Sequence, residues 1–356
     1  MEERKDHLWK VAQEAEERLD DLAKGGGTGP VGLDVGTSKI VSAVAKGRET
    51  GFAEQLNAFL VVPYLPSTKA ILEQRGIFYY QEGDELVVYG NQTEDFANML
   101  DSEARRPMAD GLLNPREQYA LPVLQTIIGK VVRRARSSGD VLAFSVPAAP
   151  AGREARLTYH EATLRRFAEE LGYRPVAVNE GLAVIFSELE GDNFTGIGIS
   201  CGGGMCNVAL AYLSIPSILF SIPKGGDFID ASVGAVINKH ATRVRVLKEE
   251  GIDLTRAPKD KFERALQIYY ENLIEDLVTA LRQAVSGAEK LPKSDRPLPL
   301  VLSGGTAKAK GFREVFERAL RAKPLGVEIS EVRLAKNPLT ATARGAWIAA
   351  KYEYEK

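Results

Sequence analysis

Residues 31–45 read VGLDVGTSKIVSAVA, and residues 197–211 read IGISCGGGMCNVALA. Each is an apolar run, a glycine-containing turn and a second apolar run, the pattern of a buried hairpin. The two stretches lie 166 residues apart, with Gly32 aligned on Gly198, Gly36 on Gly202 and Asp34 on Ser200. A duplicated hairpin predicts two related domains facing each other, with the two turns gripping one ligand from opposite sides. Small residues at Gly36-Thr37-Ser38 and Gly202-Gly203-Gly204 let backbone N–H groups approach an anion and form a concave site for it. Thr37, Ser38 and Lys39 add two hydroxyls and a cation. Either hairpin alone reads equally as a plain glycine turn. The repeat is what favours a phosphate held between domains.

Outward from these hairpins, two more glycine pairs follow apolar runs: Gly225-Gly226-Asp227 after Ile222–Lys224, and Gly304-Gly305-Thr306 after Leu298–Ser303. A strand followed by glycine is where α/β folds place ligands. Strands are expected at 31–35, 40–45, 141–146, 174–178, 196–200, 207–212, 217–222 and 299–303. Helices are expected at 115–136, 153–171, 181–190, 228–250, 260–286, 309–321 and 340–352. In 260–286 the apolar residues Phe262, Leu266, Tyr269, Leu273 and Leu277 keep a helical period. Alternating elements of this kind predict α/β layers.

The chain has 356 residues with 44% apolar and 26% charged side chains and a net charge of −2, which suits two soluble domains and gives no basic excess for nucleic acid. Its two cysteines, Cys201 and Cys206, make no disulfide framework and point to a reducing compartment. His7, His160 and His240 lack metal-ligand spacing and read as surface or core residues. The charged N-terminus shows no signal-peptide pattern, so a cytoplasmic location is expected. Residues 1–24 place Leu8, Ala12, Ala15, Leu19 and Leu22 in a stripe, then residues 25–29 form a glycine-rich tether. The helix expected there carries eight acids and five bases, which favours docking on a protein partner over a membrane surface, where basic faces are usual.

These motifs together resemble the actin/Hsp70/hexokinase-like superfamily. GLDVGTSKI (32–40) resembles its first phosphate loop, VNEGLAVIFSEL (178–189) its connecting helix, and ISCGGGMCNVAL (199–210) its second phosphate loop. IPKGGDFID (222–230) resembles the segment that follows, and LVLSGGTAKAKGF (300–312) the adenosine loop. Within the superfamily, RRPMADGLL (105–113) and KNPLTATARGAWIAA (336–350) look like the bacterial actins of the MreB and MamK type. The resemblance implies an α/β actin-like fold of two related domains with a nucleotide cleft between them, plus an N-terminal helical extension. It places an N-terminal helix and tether at 1–29, a first domain at 30–190 with a small subdomain near 61–92, and a second domain at 191–356. The second domain would hold a reduced helical subdomain near 231–298 and a C-terminal helix at 340–356.

The ligands so implied are ATP or ADP with Mg²⁺. Asp34 would hold the metal through water. Gly36, Thr37, Ser38 and Lys39 would cradle the phosphates from one side and Gly202, Gly203 and Gly204 from the other. Glu180 would orient the attacking water, although a carboxylate at a helix start is also favoured by the helix dipole alone. Gly304, Gly305 and Thr306 would contact the adenosine, with Asp227 on the ribose side and Lys248 beside the adenine. The second loop of the family begins with Asp, and here that position is Ser200, so slow hydrolysis is expected. The function implied is a nucleotide-dependent, self-assembling filament protein. A non-polymerising ATP-binding adaptor and a small-molecule kinase of the same superfamily are the alternatives.

Overall fold

The computed structural model describes residues 29–149, 154–288, 291–292 and 296–356; the helix expected over 1–24 lies outside them. The described strands are β1 (Val31–Val35), β2 (Lys39–Lys46), β3 (Glu49–Leu56), β4 (Phe59–Pro63), β5 (Tyr79–Glu82), β6 (Glu85–Tyr89), β7 (Met108–Ala109) and β8 (Leu112–Leu113). Then come β9 (Val141–Val146), β10 (Arg174–Asn179), β11 (Gly196–Cys201), β12 (Cys206–Tyr212), β13 (Ile215–Ile222), β14 (Leu298–Ser303) and β15 (Ile329–Leu334). The helices are α1 (Pro66–Gln74), α2 (Thr93–Met99), α3 (Ala120–Val131), α4 (Glu154–Glu170) and α5 (Glu180–Glu188). They continue with α6 (Gly226–Ile237), α7 (Ala241–Glu249), α8 (Lys261–Gly287), α9 (Phe312–Ala322) and α10 (Ala341–Tyr354).

Two five-stranded sheets repeat one topology. Their orders are β10-β9-β1-β2-β3 and β13-β12-β11-β14-β15. In each, three consecutive strands form an antiparallel meander, and two later strands add in parallel beside the first. The repeated hairpins at 31–45 and 197–211 are the first two strands of each meander. β1, β9, β11, β12 and β14 are almost wholly buried, as expected for strands covered on both faces. A three-stranded sheet, β4-β6-β5, sits with α1 and α2 over a core of its own that includes Leu60, Leu72, Leu86 and Val88. Between β13 and β14 the described residues contain helices and no strand.

α5 and α10 lie between the sheets. α5 follows the first sheet yet packs on β11 and β12, and α10 follows the second sheet yet packs on β1 and β9. Asn179 caps α5 by accepting from Leu182 N at 3.2 Å. The two helices touch without side chains in the way, since a Cβ on Gly345 would overlap the Ala183 carbonyl, and α10 lies as close on β1, where a Cβ on Gly32 would overlap the Trp347 amide.

Several expected elements differ in extent. The single helix expected over 228–250 is two helices, because Asn238 takes a left-handed conformation (φ 56°) and its amide donates to Gly234 O as a C-cap. The helix expected over 115–136 is confined to 120–131, and the chain turns extended at Val132. β3 and β15 carry no apolar run and alternate loosely between exposed and half-buried positions, so they escape a reading based on buried runs.

Two glycines make the packing testable. Gly345→Val should destabilise the protein by about 3 kcal/mol or more, since the backbone of α5 cannot yield as a flexible side chain would. Gly129→Ala in α3, where a methyl would meet nothing within 4 Å, should be neutral or stabilising by up to about 1 kcal/mol. Urea unfolding of both variants checks the contrast; equal midpoints would refute it.

Candidate functional site

The turns β1–β2 and β11–β12 face each other across a cleft holding a cavity of about 420 Å³. Asp34, Gly36, Thr37, Ser38 and Lys39 line it from one side. Glu180 and Ser200, with Gly202 and Gly203, form its floor and opposite side. Gly304, Gly305, Thr306 and Lys248 also line it. The sequence therefore brings most of its candidate residues to one place. Two stand apart from the lining. Gly204 is tucked against Gly111, whose amide a Cβ there would overlap, and Asp227 is engaged by Arg245.

The loops are in near contact. A side chain on Gly203 would overlap Ser38 Oγ, so glycine is what lets the two turns close on each other. Gly304 has φ 92°, a conformation costly to other residues, and its Cα lies against the Cys201 backbone. Gly202 N donates to Met205 O at 3.0 Å, and Asp227 N donates to Gly203 O at 2.8 Å, which ties the second loop to the start of α6. Thr306 Oγ1 donates to Gly202 O at 2.8 Å. Thr37 Oγ1 is buried with no partner.

Below the loops lie two carboxylates. Asp34 Oδ1 accepts from Ser145 Oγ at 2.8 Å, and that serine oxygen accepts from Val35 N at 3.0 Å. Ser200 Oγ donates to Glu180 Oε2 at 3.3 Å. Burial raises Asp34 to about 6. Burial, and then the charge of Asp34, raise Glu180 to about 8, against weaker opposing hydrogen bonds from Ser200 and Asn207. Asn207 Oδ1 accepts from Ala148 N at 3.1 Å. Two buried carboxylates, one raised further by the charge of the other, beside the orphan Thr37 hydroxyl, form an oxygen set suited to a hard, hydrated cation such as Mg²⁺.

Cations dominate the upper cleft: Lys39, Arg245, Lys248, Lys308 and Lys310 all line it. Lys39 Nζ reaches Glu54 Oε1 at 3.0 Å and Lys248 Nζ reaches Asp230 Oδ1 at 2.6 Å. Arg106, in the 105–113 segment, donates to Thr37 O at 2.9 Å and Glu94 Oε1 at 2.8 Å. Arg245, Asp230, Asn207 and Ser145 were not singled out from sequence. The first two had a signal, because Asp227 and Asp230 lie three apart on α6 and Arg245 and Lys248 three apart on α7, so each pair shares a helix face. The others had none, since their neighbours are set by strand pairing.

The remaining candidate residues are structural. Cys201 and Cys206 are cross-strand partners, fully buried. Contact with Cys201, then burial, push the Cys206 thiol well above its ordinary value, which makes it unreactive. His160 is buried, accepts from Leu113 N through Nδ1 at 3.2 Å, and is lowered to about 4 by burial and Arg156. His7 lies outside the described residues. Among the described residues no group of three His, Cys, Asp or Glu is placed to hold a metal directly, and no helix is long and apolar enough to cross a membrane.

Two sheets of one topology, crossed helices between them and a glycine-lined cleft define an actin-like fold of the bacterial MreB and MamK type. The solved MamK double helical filament is similar over 90% of this chain and 98% of its own, with TM-score 0.65 and 17% identity. MreB5 of Spiroplasma citri bound to ADP gives 0.60 and 12% over 93% of this chain and 98% of its own. The ethanolamine utilization protein EutJ from Carboxydothermus hydrogenoformans gives 0.53 and 20% over 95% and 99%. At these identities the likeness is one of fold. The family described as Volactin matches residues 30–350, nearly the whole chain, and the protein belongs to it. No curated protein matches the sequence.

The carboxylate pair gives the ligand-free protein a distinct pH dependence. Glu180 holds its proton in the folded state up to about pH 8, whereas the unfolded chain releases it near the ordinary value of 4.5. Between those values the native state binds more protons than the unfolded state, so stability falls as pH rises. Glu180→Gln removes this loss. In magnesium- and nucleotide-free buffer it should raise unfolding free energy by on the order of 2–4 kcal/mol more at pH 8 than at pH 5. An effect independent of pH would contradict the burial of an acidic Glu180.

Proposed function

We propose that this protein binds ATP and ADP with Mg²⁺ between its two sheets, hydrolyses ATP slowly, and assembles with copies of itself into filaments. The observation that carries the reading is the pair of facing glycine turns, nearly in contact, above two buried carboxylates. Backbone N–H groups of Thr37 to Lys39 and of Gly203 and Gly204 suit phosphate oxygens, while those of Gly36 and Gly202 close the two turns on Lys39 O and Met205 O. Asp34 would hold Mg²⁺ through water, and the metal would neutralise charge on the phosphates. Gly304, Gly305 and Thr306 beside the apolar Leu339 suit the adenosine, with Lys248 near the base and Asp227 on the ribose side. Ser145 fixes the orientation of Asp34 by donating to it.

Glu180 would position the attacking water, and the serine at 200 would leave that water with one fewer charged partner. Phosphoryl transfer depends mainly on such positioning and charge stabilisation. Self-assembly is supported by the likeness to a protein solved as a double helical filament. Identical subunits joined head to tail without closing give open filaments. A non-polymerising adaptor is the second reading, favoured by the segment between β13 and β14, whose described residues hold helices and no strand. Two buried thiols suit the cytoplasm, and residues 1–24 would serve a protein partner.

The test joins thermal shift, sedimentation and phosphate release. At one hundred times its Kd a nucleotide adds about 2.7 kcal/mol of stability, so ATP and ADP with Mg²⁺ should raise Tm. Asp34→Asn should remove the magnesium dependence of that shift. With ATP the protein should pellet and show filaments by electron microscopy. Glu180→Ala should slow phosphate release by about 10²–10³-fold, and Ser200→Asp should speed it by roughly ten-fold. No shift with either nucleotide at millimolar concentration would overturn the reading; a shift without pelleting would favour the adaptor.

A further inference from the structure

Arg245 occupies a singular place in the cleft. It stands on α7, in the helical segment between β13 and β14, yet its guanidinium reaches Ser38 of the first loop, with Nη1 donating to Ser38 Oγ at 3.3 Å. The same Nη1 lies 3.5 Å from Glu94 on α2, and Nε lies 3.4 Å from Asp230 on α6. Asp227 holds Nη2. One side chain thus touches the first phosphate loop, the small three-stranded region through α2, and the helical segment.

Its bonding is uneven. The contact with Asp227 is close, but those with Ser38, Glu94 and Asp230 are at 3.3–3.5 Å, the loose end of hydrogen bonding. The side chain is 8% exposed, so water gives it little compensation. A buried guanidinium with its fork facing the first loop is under-coordinated on that side, and the planar fork matches a phosphate's oxygens. Lys248, one turn further along α7, lies instead near Gly226 O, at 3.5 Å, and Thr306. Lys248 also holds Asp230, at 2.6 Å, so the two cations share that carboxylate and diverge from it: Lys248 toward the third glycine turn, Arg245 toward the first loop.

We propose that Arg245 is the ligand that distinguishes a nucleoside triphosphate from a diphosphate in this cleft. Building on the nucleotide reading above, the terminal phosphate replaces the long contacts to Ser38 and Glu94 while Asp227 keeps the guanidinium in place. Because Glu94 belongs to α2 and Arg106 joins it to Thr37 O, occupancy by the triphosphate also changes how the small region is held against the helical one.

Calorimetric titration of wild type, Arg245→Gln, Arg245→Lys and Glu94→Gln with the magnesium complexes of AMPPNP and ADP tests this. A charge-assisted bond of this kind corresponds to about 10–100-fold in affinity. Arg245→Gln should therefore weaken AMPPNP by about 10–100-fold and ADP by less than about 3-fold, and Arg245→Lys, which keeps charge without the fork, should fall between. Glu94→Gln removes a competitor for the guanidinium and should shift preference toward AMPPNP. Equal losses for both nucleotides would show a merely structural role and overturn the assignment. Should Arg245→Gln fail to fold with Asp227 left without its cation, an unchanged AMPPNP-to-ADP ratio in both Arg245→Lys and Glu94→Gln overturns it as well. Wild type binding neither nucleotide would sink the nucleotide reading itself, a result distinct from wild type binding both with variants that leave the ratio unchanged.

Discussion

The close approach of α5 to α10 is the constraint on which the rest of the structure depends. Each helix is delivered by one sheet and packed on the other, and they meet where Gly345 lies against the Ala183 carbonyl. A second contact of this kind joins α5 to the second sheet, where a Cβ on Gly198 would overlap Gly181 O. Interiors are packed at crystal-like density, so backbone meeting backbone leaves no room to absorb an added methyl. The relative placement of the two sheets, and with it the cleft between their hairpins, follows from these contacts.

The cleft then inherits its chemistry from the repeat. The same strand-turn-strand unit places Asp34 at the end of one strand and Ser200 at the end of its counterpart, both pointing to the gap. Glu180 starts α5, so the helix that joins the sheets also carries the carboxylate of the floor. Burial raises both acids in pKa, and the charge of Asp34 raises Glu180 further. Such an arrangement opposes stability in the empty protein and is relieved by a cation, a cost commonly found where function requires it. Ser200 lightens the burden, since a third carboxylate there would add to the repulsion.

Above the floor, charge is organised across parts of the chain that share no strand. Glu94, Asp227 and Asp230 face Arg106, Arg245 and Lys248, three acids against three bases. Exposed pairs of this sort contribute little, but removing one partner from a buried set leaves an uncompensated charge. The network therefore resists any opening that separates α2 from α6 and α7, and any ligand that competes for its members acts on that resistance.

The sequence by itself determined the hairpins, their duplication, the inner strands and main helices of the two large sheets, and the glycine turns that line the cleft, but not the elements between β3 and α3. Those features are local: they depend on runs of apolar residues and on where a side chain is missing, and both can be read along the chain. Edge strands β3 and β15 escaped because half-exposed strands carry no apolar run, and the break in 228–250 escaped because Asn238 reveals its left-handed conformation only where a helix must stop. Only the tertiary structure decided that Arg245 reaches Ser38 across 207 residues, that Asn207 stands opposite Ser200, and that Asp227 turns to Arg245. Long-range partners of polar groups are set by how whole elements pack, and no periodicity along the chain records them.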